Sequence, residues 1–138
     1  MVEQSASPDL VERVEQIVAA TNAGDFDVAV SFYAPDAVLD AEDAGIYEGR
    51  LAIRGFYEEW WSSYRVHQQH AEEIRDVGND VVIVVIHMHG QLAGGAGLLE
   101  QRYAAVASWA DGLIENQTNY LDLAEARAAA ERLAESRG

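Results

Sequence analysis

Residues Val81 to His89 read VVIVVIHMH, and six of these nine are β-branched. Such a run disfavours a helix and suits a packed, pleated surface. Gly90 to Gly97 (GQLAGGAG) interrupts it as a hairpin connection should, and Leu98 to Trp109 (LLEQRYAAVASW) returns as the partner strand. Side chains alternate between the two faces of a strand. Ile83, Val85, His87 and His89 therefore share one face of the first strand, and Glu100, Arg102 and Ala104 share one face of the second. Aliphatic side chains give way to two imidazoles opposite a carboxylate and a guanidinium. A pocket wall that is apolar at depth and polar towards one end has this pattern. Closure of the hairpin around Ala93–Gly94 sets His87 opposite Glu100.

The rest of the chain supplies elements that could surround such a wall. Its 138 residues, 49% of them apolar, suffice for one core. Residues 1–8 are polar and expected to be flexible. Ser7-Pro8-Asp9 predicts a helix start with Ser7 as the cap, and the spacing of Leu10, Val14, Ile17, Val18 and Thr21 carries that helix to about Asn22. Gly24 stops it, and Asp25 caps a short second helix with Phe26, Val30 and Phe32 that runs until Pro35. A short strand over 36–42, a loop over 43–49 and a third helix over 50–64 follow. The segment 65–77 reads as strand, and Gly78-Asn79-Asp80 turns into the hairpin. Asp111-Gly112 marks a second two-residue turn, leading to a strand over 113–121, and residues 123–136 form an alanine-rich terminal helix.

Helices segregated from an antiparallel sheet define an α+β fold. A long, glycine-kinked sheet must curl, and three N-terminal helices can close its concave face into a cone. Residues 9–123 form this domain, with 124–138 as a C-terminal helix belonging to it. The opposite face, carrying Met88, Gln101, Tyr103 and Trp109, is left for a second copy, which predicts a homodimer through the outer sheet face.

Composition narrows the partners. With 9 basic and 24 acidic residues the formal charge is −15, which opposes nucleic acid and anionic membranes. There is no cysteine, hence no disulfide framework, thiolate chemistry or cysteine metal site. No apolar run reaches the roughly 18 to 20 residues of a membrane span, and the amino terminus does not read as a signal peptide, so a cytoplasmic location is expected.

Several segments taken together resemble the NTF2-like superfamily, and within it the SnoaL-like, ketosteroid-isomerase-like group of small bacterial proteins. They are Gly24-Asp25-Phe26, Phe32-Tyr33-Ala34-Pro35-Asp36-Ala37, Tyr47-Glu48-Gly49-Arg50 with Ile53-Arg54-Gly55-Phe56-Tyr57, and Trp109-Ala110-Asp111-Gly112-Leu113-Ile114 with Tyr120-Leu121-Asp122. The resemblance implies a conical α+β barrel, a pocket between helices and concave sheet, and a dimer. It does not fix an activity, because one fold hosts many chemistries. Matching the segments to ketosteroid isomerases puts the donor tyrosine on Ile17 and the donor aspartic acid on Ala104. The base falls on Ala41, or on Asp40 if one gap is placed differently. Without the two oxyanion donors, steroid isomerase activity of that type is not expected.

Candidate site residues follow from the pocket-wall pattern. His87 with Glu100 forms a candidate general acid/base pair and Asp40 a second carboxylate, while Arg102 either pairs with Glu100 across a diagonal or anchors a substrate carboxylate or enolate. His89, Tyr57, Trp60, Trp61 and Tyr120 complete the binding residues. The alternative for His87 and Glu100 is a cross-strand polar pair that only holds the hairpin. A metal held by His87 and His89 lacks a third ligand, and no metal or cofactor is expected. His67 and His70 read as surface residues. Which of the two sets Asn116, Thr118, Tyr120 and Gln117, Asn119 faces inward is left open. The chain is thus expected to hold a small, mostly apolar organic molecule, with cofactor-free isomerase-, cyclase- or hydrolase-type chemistry. The alternative is a non-catalytic ligand-binding or dimerisation module.

Overall fold

A computed structural model describes residues 9–92, 94–95 and 97–138, apart from the side chains of Asp43 and Val66. Helix α1 spans Leu10–Asn22, and its cap is Asp9, whose Oδ1 accepts from Glu12 N at 3.2 Å. The expected start at Ser7-Pro8 lies outside the described residues. Leu10, Val14, Ile17 and Thr21 are the buried positions, at the spacing of one helical face. Helix α2, Phe26–Val30, is capped by Asp25 as the sequence suggests. It ends before Phe32, and strand β1 runs over Tyr33–Asp40, three residues ahead of its expected start. Pro35 therefore lies inside a strand. It falls in the register break between Tyr33 and Val38, where a missing N–H costs no ladder bond.

Strand β2, Ile46–Glu48, occupies part of the expected loop and pairs with Val38–Asp40. Helix α3 follows over Arg50–Ser62, then β3 (Tyr64–Gly78), β4 (Val81–Leu92), β5 (Leu98–Ala110) and β6 (Leu113–Tyr120), and finally α4 (Leu123–Arg137). The six strands lie in the order β2-β1-β6-β5-β4-β3. All neighbours are antiparallel except β1 and β6, which run parallel, so the sheet is mixed rather than purely antiparallel. Three register breaks in β3 and one between β5 and β6 curl it. The turn at Asp111-Gly112 takes φ values of 54° and 79°, as a type I′ hairpin requires.

The curled sheet is covered on both faces. Val82, Val84, Ile86, Met88, Tyr103, Ala105, Ala107 and Trp109 pack with α1, α2 and α3 into the main core. Val81, Ile83, Val85, Ala104 and Val106 pack instead against Ala126, Ala130 and Ala134 of α4. The small side chains of α4 let it lie close on the outer face. This reverses the assignment of faces made from the sequence. Met88, Tyr103 and Trp109 point into the core, at 0%, 8% and 1% exposure, and do not form a partner surface. Alternation yields two sets of side chains but not which set is inside, and here both are apolar because helices cover both faces.

α4 is fastened at its end as well as along its stripe. Arg137 donates through Nε to Asn79 O (2.8 Å) and through Nη2 to Trp109 O (3.1 Å), while Asn79 Nδ2 donates to Ala134 O (2.6 Å). Arg137→Ala removes two charge-assisted bonds to backbone carbonyls. We expect it to lower the unfolding free energy by about 1–2 kcal/mol, read as a shift of the urea midpoint at unchanged m-value.

Candidate functional site

Helix α3 presents two faces. Ile53 and Tyr57 are buried against the sheet. Phe56, Glu59, Trp60 and Ser63, at i, i+3, i+4 and i+7, line a cavity of about 400 Å³. The opposite wall comes from Gln101 and Tyr103 of β5 and Asn119 and Tyr120 of β6, and a third side from Ala41, Glu42, Ala44 and Tyr47. Tyr47–Phe56, Phe56–Trp60 and Trp60–Tyr103 have ring centroids 4.8, 5.5 and 5.7 Å apart. The cavity thus has one continuous aromatic wall. Its third side is fixed by hydrogen bonds. Asp40 Oδ1 accepts from Glu42 N at 2.9 Å, Tyr47 Oη donates to Ala44 O at 2.7 Å, and Glu42 itself sits at φ 52°.

Behind this cavity the core holds two sets of hydrogen-bonded hydroxyls and amides. Tyr33 Oη donates to Gln117 Oε1 at 2.8 Å and lies 2.8 Å from Tyr57 Oη, whose proton must therefore complete that second bond. Gln117 Nε2 donates to Asn119 Oδ1 at 3.0 Å, and Gln69 Nε2 donates to Tyr103 Oη at 2.7 Å. Gln117 and Asn119 are thus the inward set on β6. Burial pushes the hydroxyls of Tyr33, Tyr57 and Tyr103 up from their ordinary value, so they stay protonated and serve as donors rather than bases. The space left beside them is small, about 50 Å³, lined by Val14, Ile17, Tyr33, Tyr57, Trp109 and Gln117 among others.

The polar cluster expected at the pocket end lies elsewhere. His87 and Arg102 are direct partners across β4 and β5, and so are His89 and Glu100, because the hairpin is centred one residue later than expected, between Gly94 and Gly95, which moves each partner by two. His87 Nε2 still reaches Glu100 Oε1 diagonally, at 3.4 Å. These side chains share the face of Ile83, Val85 and Ala104, which is the α4 side of the sheet, beyond the part that the helix covers. They do not line the 400 Å³ cavity. Arg102 pairs with neither Glu100 nor the cavity but holds Glu72 through Nε and Nη2, at 2.8 and 3.0 Å. That bond keeps the Glu72 carboxyl below the usual carboxylate range and raises Arg102. His87 and His89 have ring centroids 5.9 Å apart, and among the described residues no cluster of three His, Asp or Glu is placed to hold a metal.

Of the expected binding residues, Trp60 and Tyr120 line the cavity, Tyr57 lies deeper among the buried hydroxyls, and Trp61 packs behind Trp60. Asp40 supports the turn that forms the third side rather than facing the cavity. His67, expected at the surface, is only 6% exposed, wedged among Trp60, Trp61 and Tyr64, and neither ring nitrogen has a hydrogen-bond partner among the described residues. Tyr47, Phe56, Gln101, Tyr103, Asn119, Glu42 and Glu59 were not singled out as cavity residues from the sequence. The i, i+3, i+4, i+7 set on α3 could have been found from spacing alone, whereas Gln101 and Tyr103 needed the face of the sheet.

A curled sheet closed by N-terminal helices, with a cavity between α3 and the ends of β5 and β6, defines a small NTF2-like α+β domain. The model of the SnoaL-like domain matches residues 14–117, and the chain belongs to that family. An NTF2-like protein of unknown function from Burkholderia pseudomallei K96243 is similar with TM-score 0.75, 15% identity, and coverage of 86% of this chain and 95% of that one. A protein with a ketosteroid isomerase-like fold from Catenulispora acidiphila DSM 44928, crystallised with trimethylamine, gives TM-score 0.73 and 17% identity, covering 91% and 94% of the two chains. Rv0760c from Mycobacterium tuberculosis, in complex with estradiol-17beta-hemisuccinate, gives TM-score 0.70 and 19% identity over 83% and 95%. Identities this low establish the fold alone. No curated protein sequence matches the chain significantly. Among the described residues no helix is long and apolar enough to cross a membrane.

Proposed function

We propose that the chain is a SnoaL-like protein that binds a small, mostly apolar organic molecule in the cavity between α3 and the ends of β5 and β6. The observation that carries this is the continuous aromatic wall Tyr47–Phe56–Trp60–Tyr103 along a cavity of about 400 Å³, the size of a small-molecule site. Flat ring faces offer apolar area to a guest, and Gln101 and Asn119 offer hydrogen bonds to its oxygen-bearing end. The ligands held by the Catenulispora and Mycobacterium proteins support a small organic guest. Binding is favoured over the acid/base chemistry expected of His87 and Glu100, because that pair faces away from the cavity.

The test is thermal shift and tryptophan fluorescence against a panel of one- to four-ring phenols, ketones and amines. A guest at about 100 times its Kd stabilises the fold by roughly 2.7 kcal/mol, a rise of several degrees in the midpoint. Trp60→Ala removes the middle of the wall and should abolish that rise while the variant still folds cooperatively. No rise with any panel member, or an equal rise in the variant, overturns the proposal.

A further inference from the structure

The charge around the cavity selects among possible guests. Its ionisable side chains are the carboxylates Glu42 and Glu59 and the phenols Tyr47, Tyr103 and Tyr120; no arginine or histidine is among its described lining residues. The chain holds nine arginines, and Arg102, which lies between the lining residues Gln101 and Tyr103 on β5, is bonded to Glu72 instead. Glu42 is fixed in place by the bond from its N–H to Asp40, close enough to Tyr120 for its charge to help raise that phenol, after burial and Glu125. Glu59 projects from the same face of α3 as Phe56 and Trp60.

Aromatic ring faces are negative, and a cation within about 6 Å of the ring centres is attracted to them. Two carboxylates at the rim add to that attraction and oppose an anion. Resting on the reading of this cavity as a small-molecule site, we infer that its guest carries a cationic, ammonium-type group seated against the aromatic wall and facing Glu42 and Glu59. Hydrophobic transfer alone favours the opposite order, since an uncharged isostere of the same shape leaves water more readily. A preference for the cation therefore reports the wall and the rim.

Three soluble phenols of similar size separate the possibilities: (4-hydroxyphenyl)trimethylammonium, its uncharged isostere 4-tert-butylphenol, and 4-hydroxybenzoate. Titration of the full chain by calorimetry at low salt should show the cation binding about 10-fold tighter than the isostere and the anion weakest. The Glu42→Gln/Glu59→Gln double variant should lower the cation's affinity about 3- to 10-fold and leave the isostere unchanged. A Glu131→Gln/Glu135→Gln control on α4 changes net charge equally and should change neither, which separates the rim from the overall charge of −15. Should the isostere bind as tightly as the cation, lost in Trp60→Ala, the cationic preference is wrong and the cavity reading stands. If none of the three shows binding that Trp60→Ala removes, both are overturned.

Discussion

Replacing Trp109 by alanine is expected to lower the unfolding free energy by about 3–5 kcal/mol, a large share of the total for a domain of this size. Trp109 is 1% exposed on the inner face of β5 and borders the void of about 50 Å³ that also touches Val14, Ile17, Tyr33 and Ile114. The truncation loses the transfer free energy of the indole and enlarges a hole that is already present, so the cavity contribution adds in full. Trp109→Phe keeps most of the contact and removes an indole N–H that has no partner among the described residues. It should cost less than half as much. Urea denaturation at two protein concentrations decides the matter. A tryptophan on a partner-facing surface would give a small, concentration-dependent change, whereas a core tryptophan gives a large one that does not depend on concentration.

That contrast also marks how far the chain could be read without coordinates. Helix caps at Asp25, the turns at Gly78-Asn79-Asp80 and Asp111-Gly112, and the long strands β4 and β5 follow from local chemistry, and they were legible. β2 was not, because three residues carry no periodicity of their own and form a strand only by pairing with Val38–Asp40. The face of the sheet was illegible for a different reason. In β4 the sets Val81, Ile83, Val85 and Val82, Val84, Ile86 are equally apolar, and what distinguishes them is which helices they meet. The polar end of one set, His87 and His89 with Glu100 and Arg102, read as the floor of a pocket. It is the part of the outer face that α4, whose buried alanines lie over Val81 to Val85, leaves to solvent. On α3 the aromatics are too many for one helix face to bury, and of the three expected there as binding residues only Trp60 lines the 400 Å³ cavity.

The second large effect concerns pH. His67 is wedged between Trp61, at a ring distance of 3.8 Å, and Tyr64, and both its nitrogens lack partners among the described residues. Burial first, and then the charge of His89, lower its pKa to about 4. In the unfolded chain the imidazole titrates near 6.5. Between those values the unfolded state binds a proton that the folded state refuses, so stability falls as pH drops through that window and is unaffected by this group above it. The loss from pH 7 to 4 is at most about 3 kcal/mol. Glu72 and Glu73 act at the acid end: Arg102 and Arg127 hold their carboxyls below the ordinary value, and that stabilisation is lost only as the pH falls past it. The interval from about 6.5 to 4.5 therefore belongs chiefly to His67. His67→Phe keeps a flat ring in the aromatic slot and should flatten the stability profile there, without loss of stability at pH 7, because two unpaired ring nitrogens leave the core. Urea midpoints at pH 7, 6 and 5 for both proteins measure this, and equal slopes would show that the imidazole titrates freely. Trp60 touches His67 on one side and walls the cavity on the other, with ring centroids 5.4 Å apart. Forcing a charge into that slot must push on the wall, so guest affinity should decline over the same interval in the wild type and hold steady in the variant.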